Sequence, residues 1–171
     1  LPDETTTIRF CLYEKDLSEN TDTDNKVIIG DTFKVMPKLK KSIVDLMIVD
    51  PPYNLSKDFG TSTFKKMDRK AYRDFTVSWI EASMPLLKPD ATVYVCCDWE
   101  SSIVIGEVLC EYFNVKNRIT WQREKGRGAK TNWKNSMEDV FFATVSDDYK
   151  FNLDAVKVRR RVLAPYKAEG R

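Results

Sequence analysis

Short apolar runs alternate with segments whose apolar residues recur at helical spacing, and this alternation constrains the fold of the chain most. One such helical segment covers residues 71–87, between two of the apolar runs. The apolar runs have the length and composition of β-strands and occupy residues 26–31, 44–50, 91–97, 117–122 and 138–145. Strands and helices that alternate at this spacing form a mostly parallel sheet covered by helices. We therefore predict a single α/β domain.

Prolines and serines predict where the helices end and begin. Pro37 permits only a short helix after the first of these strands, and Pro85 ends the 71–87 helix before its periodic pattern stops. The sequence KPD at residues 88–90 predicts a turn before the next strand. Ser101 or Ser102 is the expected N-cap of the helix that follows.

Composition argues against histidine-based catalysis, against cysteine metal sites and against a membrane location. The chain has no histidine, which rules out catalytic triads and metal sites built on imidazole. The four cysteines (Cys11, Cys96, Cys97 and Cys110) lack metal-ligand spacing, so we interpret them as reduced packing residues. The sequence shows no signal-peptide pattern and no apolar run of transmembrane length, which predicts a cytoplasmic protein without a membrane partner.

Aspartates follow three of the predicted strands. They are Asp31, Asp50 and Asp98. Ligands of open α/β sheets bind outside the carboxyl ends of the strands, which predicts a site at Asp31 and Asp50. For Asp98 we prefer the simpler interpretation of a helix cap. Asp50 begins the sequence DPPYN, in which two prolines stiffen the chain directly before an aromatic ring and an amide.

The sequence DPPYN resembles the [DNS]-P-P-[YFW] motif of S-adenosylmethionine-dependent methyltransferases that modify exocyclic amino groups of DNA bases. Further segments resemble that family in the same order, from residue 26 to residue 152. The similarity is to the β group of these enzymes, which occur in restriction-modification systems. It implies a Rossmann-like methyltransferase sheet, here the catalytic half of a circularly permuted class I fold.

The resemblance implies a role for each residue of the motif. The Asp50 carboxylate and the Pro51 carbonyl would accept the two hydrogens of an adenine amino group, while Pro52 stiffens the turn. Tyr53 would stack on the adenine after the base has rotated out of double-stranded DNA. S-adenosylmethionine is the implied cofactor, with Asp31, Asp50 and Asn54 as the implied cofactor-binding residues.

Alternatives within and outside the family stay open. Members that methylate cytosine N4 usually carry serine at the first motif position, and those that act on a glutamine amide usually carry asparagine. Asp50 therefore favours adenine N6 over cytosine N4 and over an amide or RNA substrate. A non-enzymatic nucleic-acid-binding module would share the basic loops of this chain but would have no use for the stiff DPPY turn.

Two basic loops are the predicted DNA-binding segments. The first loop covers residues 56–70, and the second, at residues 123–135, places basic side chains next to a tryptophan and two asparagines. Basic side chains neutralise phosphates, and aromatic and amide groups contact bases. The predicted DNA contacts are Lys57, Lys65, Lys66, Arg123, Lys125, Arg127, Lys130, Asn132, Trp133 and Lys134.

One motif of the family is missing. The sequence contains no Phe-x-Gly-x-Gly segment, which in this family binds the methionine end of the cofactor. We therefore expect a catalytic half that is inactive alone, with an N-terminal segment at 1–25, a catalytic region at 26–152 and the start of a target-recognition region at 153–171. Double-stranded DNA is the expected partner, and the resemblance also admits a homodimer and a separately encoded restriction endonuclease.

Overall fold

The computed structural model describes residues 11–58, 60, 63–127, 130, 131, 133 and 135–158, with the backbone alone at 125–127. The strands are β1 (Cys11–Tyr13), β2 (Val27–Ile29), β3 (Val44–Val49), β4 (Lys57–Asp58), β5 (Thr63–Phe64), β6 (Leu87–Cys97), β7 (Asn114–Arg127) and β8 (Asn135–Thr144). The α-helices are α1 (Thr32–Val35), α2 (Arg69–Ser83), α3 (Trp99–Tyr112) and α4 (Leu153–Val156), and short 3-10 helices cover Glu14–Asp16, Met36–Lys38 and Met84–Leu86. No helix in this described part is both long and apolar enough to cross a membrane.

The main sheet has four strands in the order β3-β6-β8-β7. Strands β3 and β6 are parallel, whereas β8 runs antiparallel to both β6 and β7. The α/β class is thus confirmed, and three of the four described strands run in one direction as expected, with β8 reversed. The reason is the short connection between β7 and β8, because a connection of that length can only join antiparallel strands.

Two small sheets lie outside the main sheet. Strands β1 and β2 form a parallel pair, and β4 and β5 form an antiparallel pair within the loop that follows Asp50. Strand β2 ends shortly before Asp31, which caps α1. Asp31 therefore does not follow a strand of the main sheet, although Asp50 and Asp98 do.

Two of the predicted helix ends agree with the structure, and two neighbouring predictions need correction. Pro37 and Pro85 each lie in the 3-10 helix that ends an α-helix, as expected. The predicted turn at 88–90 was wrong, because β6 already begins at Leu87 and a register shift against β3 accommodates the proline. The predicted Ser101 or Ser102 cap was also wrong. Asp98 takes that place, since its Oδ1 accepts the Ser101 N–H at 2.9 Å.

The core lies on one face of the main sheet. Helices α2 and α3 pack on this face, where Val93, Val95, Ile80 and Ile105 are fully buried. The strand register places a second set of side chains on the opposite face. Phe142 of this set is buried at 7%, but four other large apolar members stay exposed: Leu46 at 51%, Ile48 at 69%, Ile119 at 46% and Trp121 at 63%. Among the described residues, α2 and α3 therefore cover one face of the sheet and leave much of the other exposed.

Candidate active site

The Asp50–Tyr53 turn leaves the sheet at the carboxyl end of β3, beside the end of its parallel neighbour β6. Asp50 is exposed, Pro51 is buried, and Tyr53 is half-buried. Asp50 directly follows the last residue of β3, so the strand delivers this carboxylate to solvent at its carboxyl end. An exposed carboxylate followed by a stiff backbone and an aromatic ring can accept hydrogens from a planar amino group and stack on its ring.

Two helices hold the backbone of this turn. The Tyr72 hydroxyl of α2 donates to the Pro52 carbonyl at 3.0 Å, and the Asn54 N–H donates to Ser101 Oγ of α3 at 3.0 Å. Both helix residues are almost fully buried, each at 1% exposure. The sequence analysis missed both of them. Tyr72 and Ser101 look like ordinary inward-facing helix positions in the sequence, and only the packing of α2 and α3 brings them to the turn.

Asn54 closes the loop that follows the turn. Its Oδ1 accepts the Met67 N–H at 2.7 Å and its Nδ2 donates to the Met67 carbonyl at 2.9 Å. The side-chain amide therefore pairs with both backbone groups of Met67, as a neighbouring strand would. It joins the start of the 54–67 segment to its end. This geometry supports the turn, whereas a contact between Asn54 and a cofactor stays a prediction.

Asp50 interacts electrostatically with a small group of neighbouring side chains. Burial raises the pKa of Tyr53 above its ordinary value, and the neighbouring Asp50 carboxylate raises it further. Burial also raises the pKa of Cys96, again with contributions from Asp50 and from Glu138 of β8. The phenol and the thiol therefore stay neutral beside the carboxylates. The sequence analysis did not find Glu138, because strand pairing alone brings β8 to this end of β6.

A cleft lies at the same end of the sheet, on β7 and β8. Its volume is about 520 Å³ and it is lined by Trp121, Gln122, Arg123, Glu124 and Glu138. Arg123, a predicted DNA contact, forms an ion pair with Glu138. Since Glu138 also acts on the pKa of Tyr53, this cleft adjoins the Asp50–Tyr53 turn.

The aspartates predicted at strand ends have different surroundings. Asp31 is exposed, and its Oδ1 accepts the Phe33 N–H at 2.9 Å as the N-cap of α1. Its own N–H donates to Glu14 Oε2 at 3.3 Å. Its predicted role towards the cofactor stays a prediction. Asp98 caps α3, which confirms the simpler interpretation of that residue.

The predicted DNA contacts lie on the surface where the structure describes them, but the two segments are not loops throughout, because β4 contains Lys57 and β7 contains Arg123. Lys57, Lys65 and Lys130 are exposed, and Lys66 forms an ion pair with Glu100 at 2.5 Å. Trp133 is 96% exposed, which is unusual for so large an apolar side chain. The side chains of Lys125 and Arg127 and the whole of Asn132 and Lys134 lie outside the described residues. Contact of these residues with DNA stays a prediction.

Known proteins match most of this chain. The family model described as DNA methylase, of the N6/N4 methyltransferases, matches residues 44–169. Type II methyltransferase M.HpaI of Haemophilus parainfluenzae is 31% identical over 143 residues, which are 81% of this chain and 45% of that protein. DNA adenine methyltransferase YhdJ of Escherichia coli (strain K12) is 28% identical over 138 residues, 79% of this chain and 46% of that protein. The chain thus spans about half the length of these relatives.

Solved structures share the fold. The PvuII DNA methyltransferase (cytosine-N4-specific) superposes with a TM-score of 0.62 at 15% identity, over 75% of this chain and 52% of that chain. A Thermus thermophilus protein, TTHA0409, described as a DNA modification methylase and solved with S-adenosyl-L-methionine, gives a TM-score of 0.54 at 17% identity, over 74% of this chain and 56% of that chain. The predicted Rossmann-like methyltransferase sheet is confirmed by these two likenesses.

Proposed function

This chain belongs to the DNA methylase family, and we propose that the protein containing it methylates the N6 amino group of adenine in duplex DNA, with S-adenosylmethionine as the methyl donor. The observation that carries the proposal is the stiff turn in which the exposed Asp50 carboxylate directly precedes a proline carbonyl and the Tyr53 ring. The relative from Escherichia coli, a DNA adenine methyltransferase, supports adenine as the substrate.

The turn overcomes the low nucleophilicity of an adenine amino group. The nitrogen lone pair is delocalised into the ring, and two acceptors on its hydrogens draw that nitrogen towards a tetrahedral geometry. Asp50 and the Pro51 carbonyl are these acceptors, and each hydrogen bond contributes about 2 kcal/mol. The N6–methyl bond forms as the sulfur–methyl bond breaks, and Asp50 or water takes the amino proton afterwards. Tyr53 holds the flipped base by stacking.

The chain supplies polar groups of the kind that the cofactor requires. Bound S-adenosylmethionine supplies an electrophilic methyl group on a sulfonium. Asp31 and Asp50 are both exposed carboxylates, the kind of acceptor that the hydroxyls and amines of this cofactor require. Asp31 would bind its ribose or adenine, and Asp50 would face the transferred methyl group. Asn54 would act through the loop it closes.

Duplex DNA is the proposed partner. The exposed Lys65, Lys130 and Trp133 provide positive charge for phosphates and an aromatic surface for bases. Relatives of this chain are type II methyltransferases, which supports a separately encoded endonuclease as a second partner and is compatible with a homodimer. Salt dependence of DNA binding would test the electrostatic part of this proposal.

The first experiment measures transfer of a labelled methyl group from S-adenosylmethionine to duplex DNA by the full-length protein, followed by nucleoside analysis. Asp50→Ala removes the proposed acceptor, so we expect its turnover to fall by at least about a hundredfold. Asp45→Ala is the matched control, because Asp45 is an exposed carboxylate on the same strand and pairs only with Lys88 among the described residues. We expect that variant to keep its activity.

The identity of the product decides between the alternatives. N6-methyladenine that disappears in Asp50→Ala supports the proposal in full. If the product is N4-methylcytosine, the proposed role of the turn still holds, but adenine is refuted as the substrate. An active Asp50→Ala variant, or a protein that methylates RNA or a protein amide but no DNA, would refute the proposed function.

A further inference from the structure

The prolines of the Asp50–Tyr53 turn restrict its first torsions but leave ψ of Pro52 and φ of Tyr53 unrestricted. Their rings fix φ at Pro51 and Pro52. Because a residue that precedes proline is confined to extended backbone, ψ of Asp50 and ψ of Pro51 are restricted as well. Pro52 precedes a tyrosine, so no ring restricts its ψ. That torsion sets the direction of the Pro52 carbonyl and the placement of the Tyr53 ring relative to Asp50.

We propose that Tyr72 and Ser101 are positioning residues that fix the remaining torsions at Pro52 and Tyr53 and so complete the rigidity of the turn. The Tyr72 hydroxyl donates to the Pro52 carbonyl at 3.0 Å, which holds the peptide plane that ψ of Pro52 controls. Ser101 Oγ accepts the Asn54 N–H at 3.0 Å, which holds the following peptide of the same segment. The two contacts come from different helices, α2 and α3, and both helices are anchored in the core.

The two hydroxyls hold neighbouring backbone groups of one segment. The Tyr72 hydroxyl donates to the Pro52 carbonyl, and Ser101 Oγ accepts the Asn54 N–H two residues later. Burial raises the pKa of Tyr72, and its neighbour Ser101 opposes that rise. At 1% exposure for both residues, water has little access to the two hydroxyls. Removing either hydroxyl leaves a backbone polar group of the turn without its protein partner.

The inference rests on the proposed function, since it matters only if the turn positions a reacting amino group. The Tyr72 and Ser101 hydroxyls would then act on the rate of methyl transfer and not on the binding of either substrate. A displacement of about 1 Å at a reacting group lowers a rate by up to about a hundredfold. The rate constant of the chemical step is therefore the quantity to measure.

The test compares two buried-hydroxyl variants with two matched controls in the full-length protein. Tyr72→Phe keeps the ring that stacks 6.1 Å from Phe75, and Ser101→Ala removes the second hydroxyl. Thr76→Val and Ser83→Ala are the controls. Each removes a hydroxyl that is also 1% exposed but donates only to a carbonyl of its own helix α2, at 2.8 Å. The single-turnover rate, the dissociation constants of S-adenosylmethionine and DNA, and the melting temperature are measured for all four.

We expect Tyr72→Phe and Ser101→Ala to lower the single-turnover rate by about tenfold to a hundredfold, with dissociation constants within about threefold of the wild type. Thr76→Val and Ser83→Ala should lower the melting temperature to a similar degree without changing the rate. Ser101→Thr retains the hydroxyl and should restore most of the rate. The double variant of Tyr72 and Ser101 should lose less than the product of the single losses, because both hydroxyls hold the same short backbone segment.

Hydrogen exchange of the Asn54 amide supplies a readout that does not depend on activity. We expect it to become faster in Tyr72→Phe and Ser101→Ala and to stay unchanged in the two controls. An active wild type whose rate is insensitive to both variants would overturn the inference, and so would equal losses in the controls. A wild type that methylates no DNA would instead refute the proposed function, while the exchange data still report whether the hydroxyls hold the turn.

Discussion

At the scale of single residues, Gly106 of α3 packs closely against an aromatic ring of the sheet. A Cβ atom built at this position would lie 2.8 Å from Cζ and 3.2 Å from Cε1 of the Phe141 ring. Phe141 belongs to β8 and is itself buried in the core, so its ring has little room to move. The absence of a side chain at residue 106 therefore sets how closely α3 approaches the sheet, and through it where Ser101 meets the turn.

Replacing Gly106 with alanine should destabilise the protein, which is opposite to the usual effect of this change in a helix. In an exposed helix the change stabilises by about 1 kcal/mol, but here the overpacked Cβ should cost about 1–3 kcal/mol. Urea denaturation of Gly106→Ala measures the free energy of unfolding. Adding Phe141→Leu makes space and should recover part of the loss. Greater stability of Gly106→Ala would show that the ring moves freely.

At the scale of elements, aspartate caps begin the helices that hold the turn. Asp68 Oδ1 accepts the Ala71 N–H at 2.8 Å at the start of α2, and Asp98 Oδ1 accepts the Ser101 N–H at 2.9 Å at the start of α3. A cap of this kind satisfies one of the free N–H groups of the first turn. The capped ends of both helices lie next to the residues that contact the Asp50–Tyr53 turn, so the caps also define where those contacts occur.

Loss of the α2 cap should cost more than loss of another carboxylate on the same helix. Asp68→Ala removes the side-chain acceptor and should lower the free energy of unfolding by about 1 kcal/mol. Asp74→Ala removes an exposed partner of Lys70 and should cost no more than about 0.5 kcal/mol. Thermal denaturation of both variants measures the difference. Equal losses would indicate that the Asp68 cap contributes no more than a surface ion pair.

At the scale of the whole molecule, the two faces of the main sheet differ in burial. One face carries the core under α2 and α3, while Leu46, Ile48, Ile119 and Trp121 stay exposed on the other. An exposed apolar face promotes association of the chain or binding of hydrophobic probes. The effect of truncating an isoleucine should therefore depend entirely on the face that carries it.

Ile48→Ala and Ile80→Ala should give opposite results in two measurements. Ile80 is fully buried, so its truncation should lower the free energy of unfolding by about 2–5 kcal/mol. Ile48 is 69% exposed, so its truncation should change stability by less than about 0.5 kcal/mol and reduce binding of a hydrophobic dye by the folded chain. A large loss of stability in Ile48→Ala would mean that this face is covered in the protein under test.

Stability should also fall at alkaline pH, because buried acids titrate higher in the folded state than in the unfolded chain. Burial raises the pKa of Cys97 from 9.0 to about 12, and burial also raises the pKa values of Tyr53 and Tyr72 above 10.0. Above pH 9 the unfolded chain releases protons that the folded state keeps. The free energy of unfolding should therefore decrease with pH, by at most about 1.4 kcal/mol per pH unit for each group.

The contribution of Cys97 can be isolated below the range in which tyrosines titrate. Between pH 9 and pH 10, Cys97→Ala should show a smaller decrease in the free energy of unfolding than the wild type. Urea denaturation at several pH values gives both slopes. Cys110→Ala is the control, because this cysteine is exposed and its removal should leave the slope unchanged. Identical slopes in wild type and Cys97→Ala would contradict the raised pKa.

The sequence by itself determined the α/β class, the strands at 26–31 and 44–50, the short helices ended by Pro37 and Pro85, and the residues of the Asp50–Tyr53 turn. These features depend on local periodicity, on proline chemistry and on a motif confined to a few positions, so the sequence displays them directly.

Only the tertiary structure decided the strand directions, the uncovered face of the sheet and the residues that surround the turn. Tyr72, Ser101 and Glu138 lie 20 or more positions away from the turn residues they affect. Packing of α2 and α3 on one face and the insertion of β8 between β6 and β7 bring them there. Such contacts join residues that are remote in the sequence, and no local pattern specifies which of the many inward-facing positions will meet.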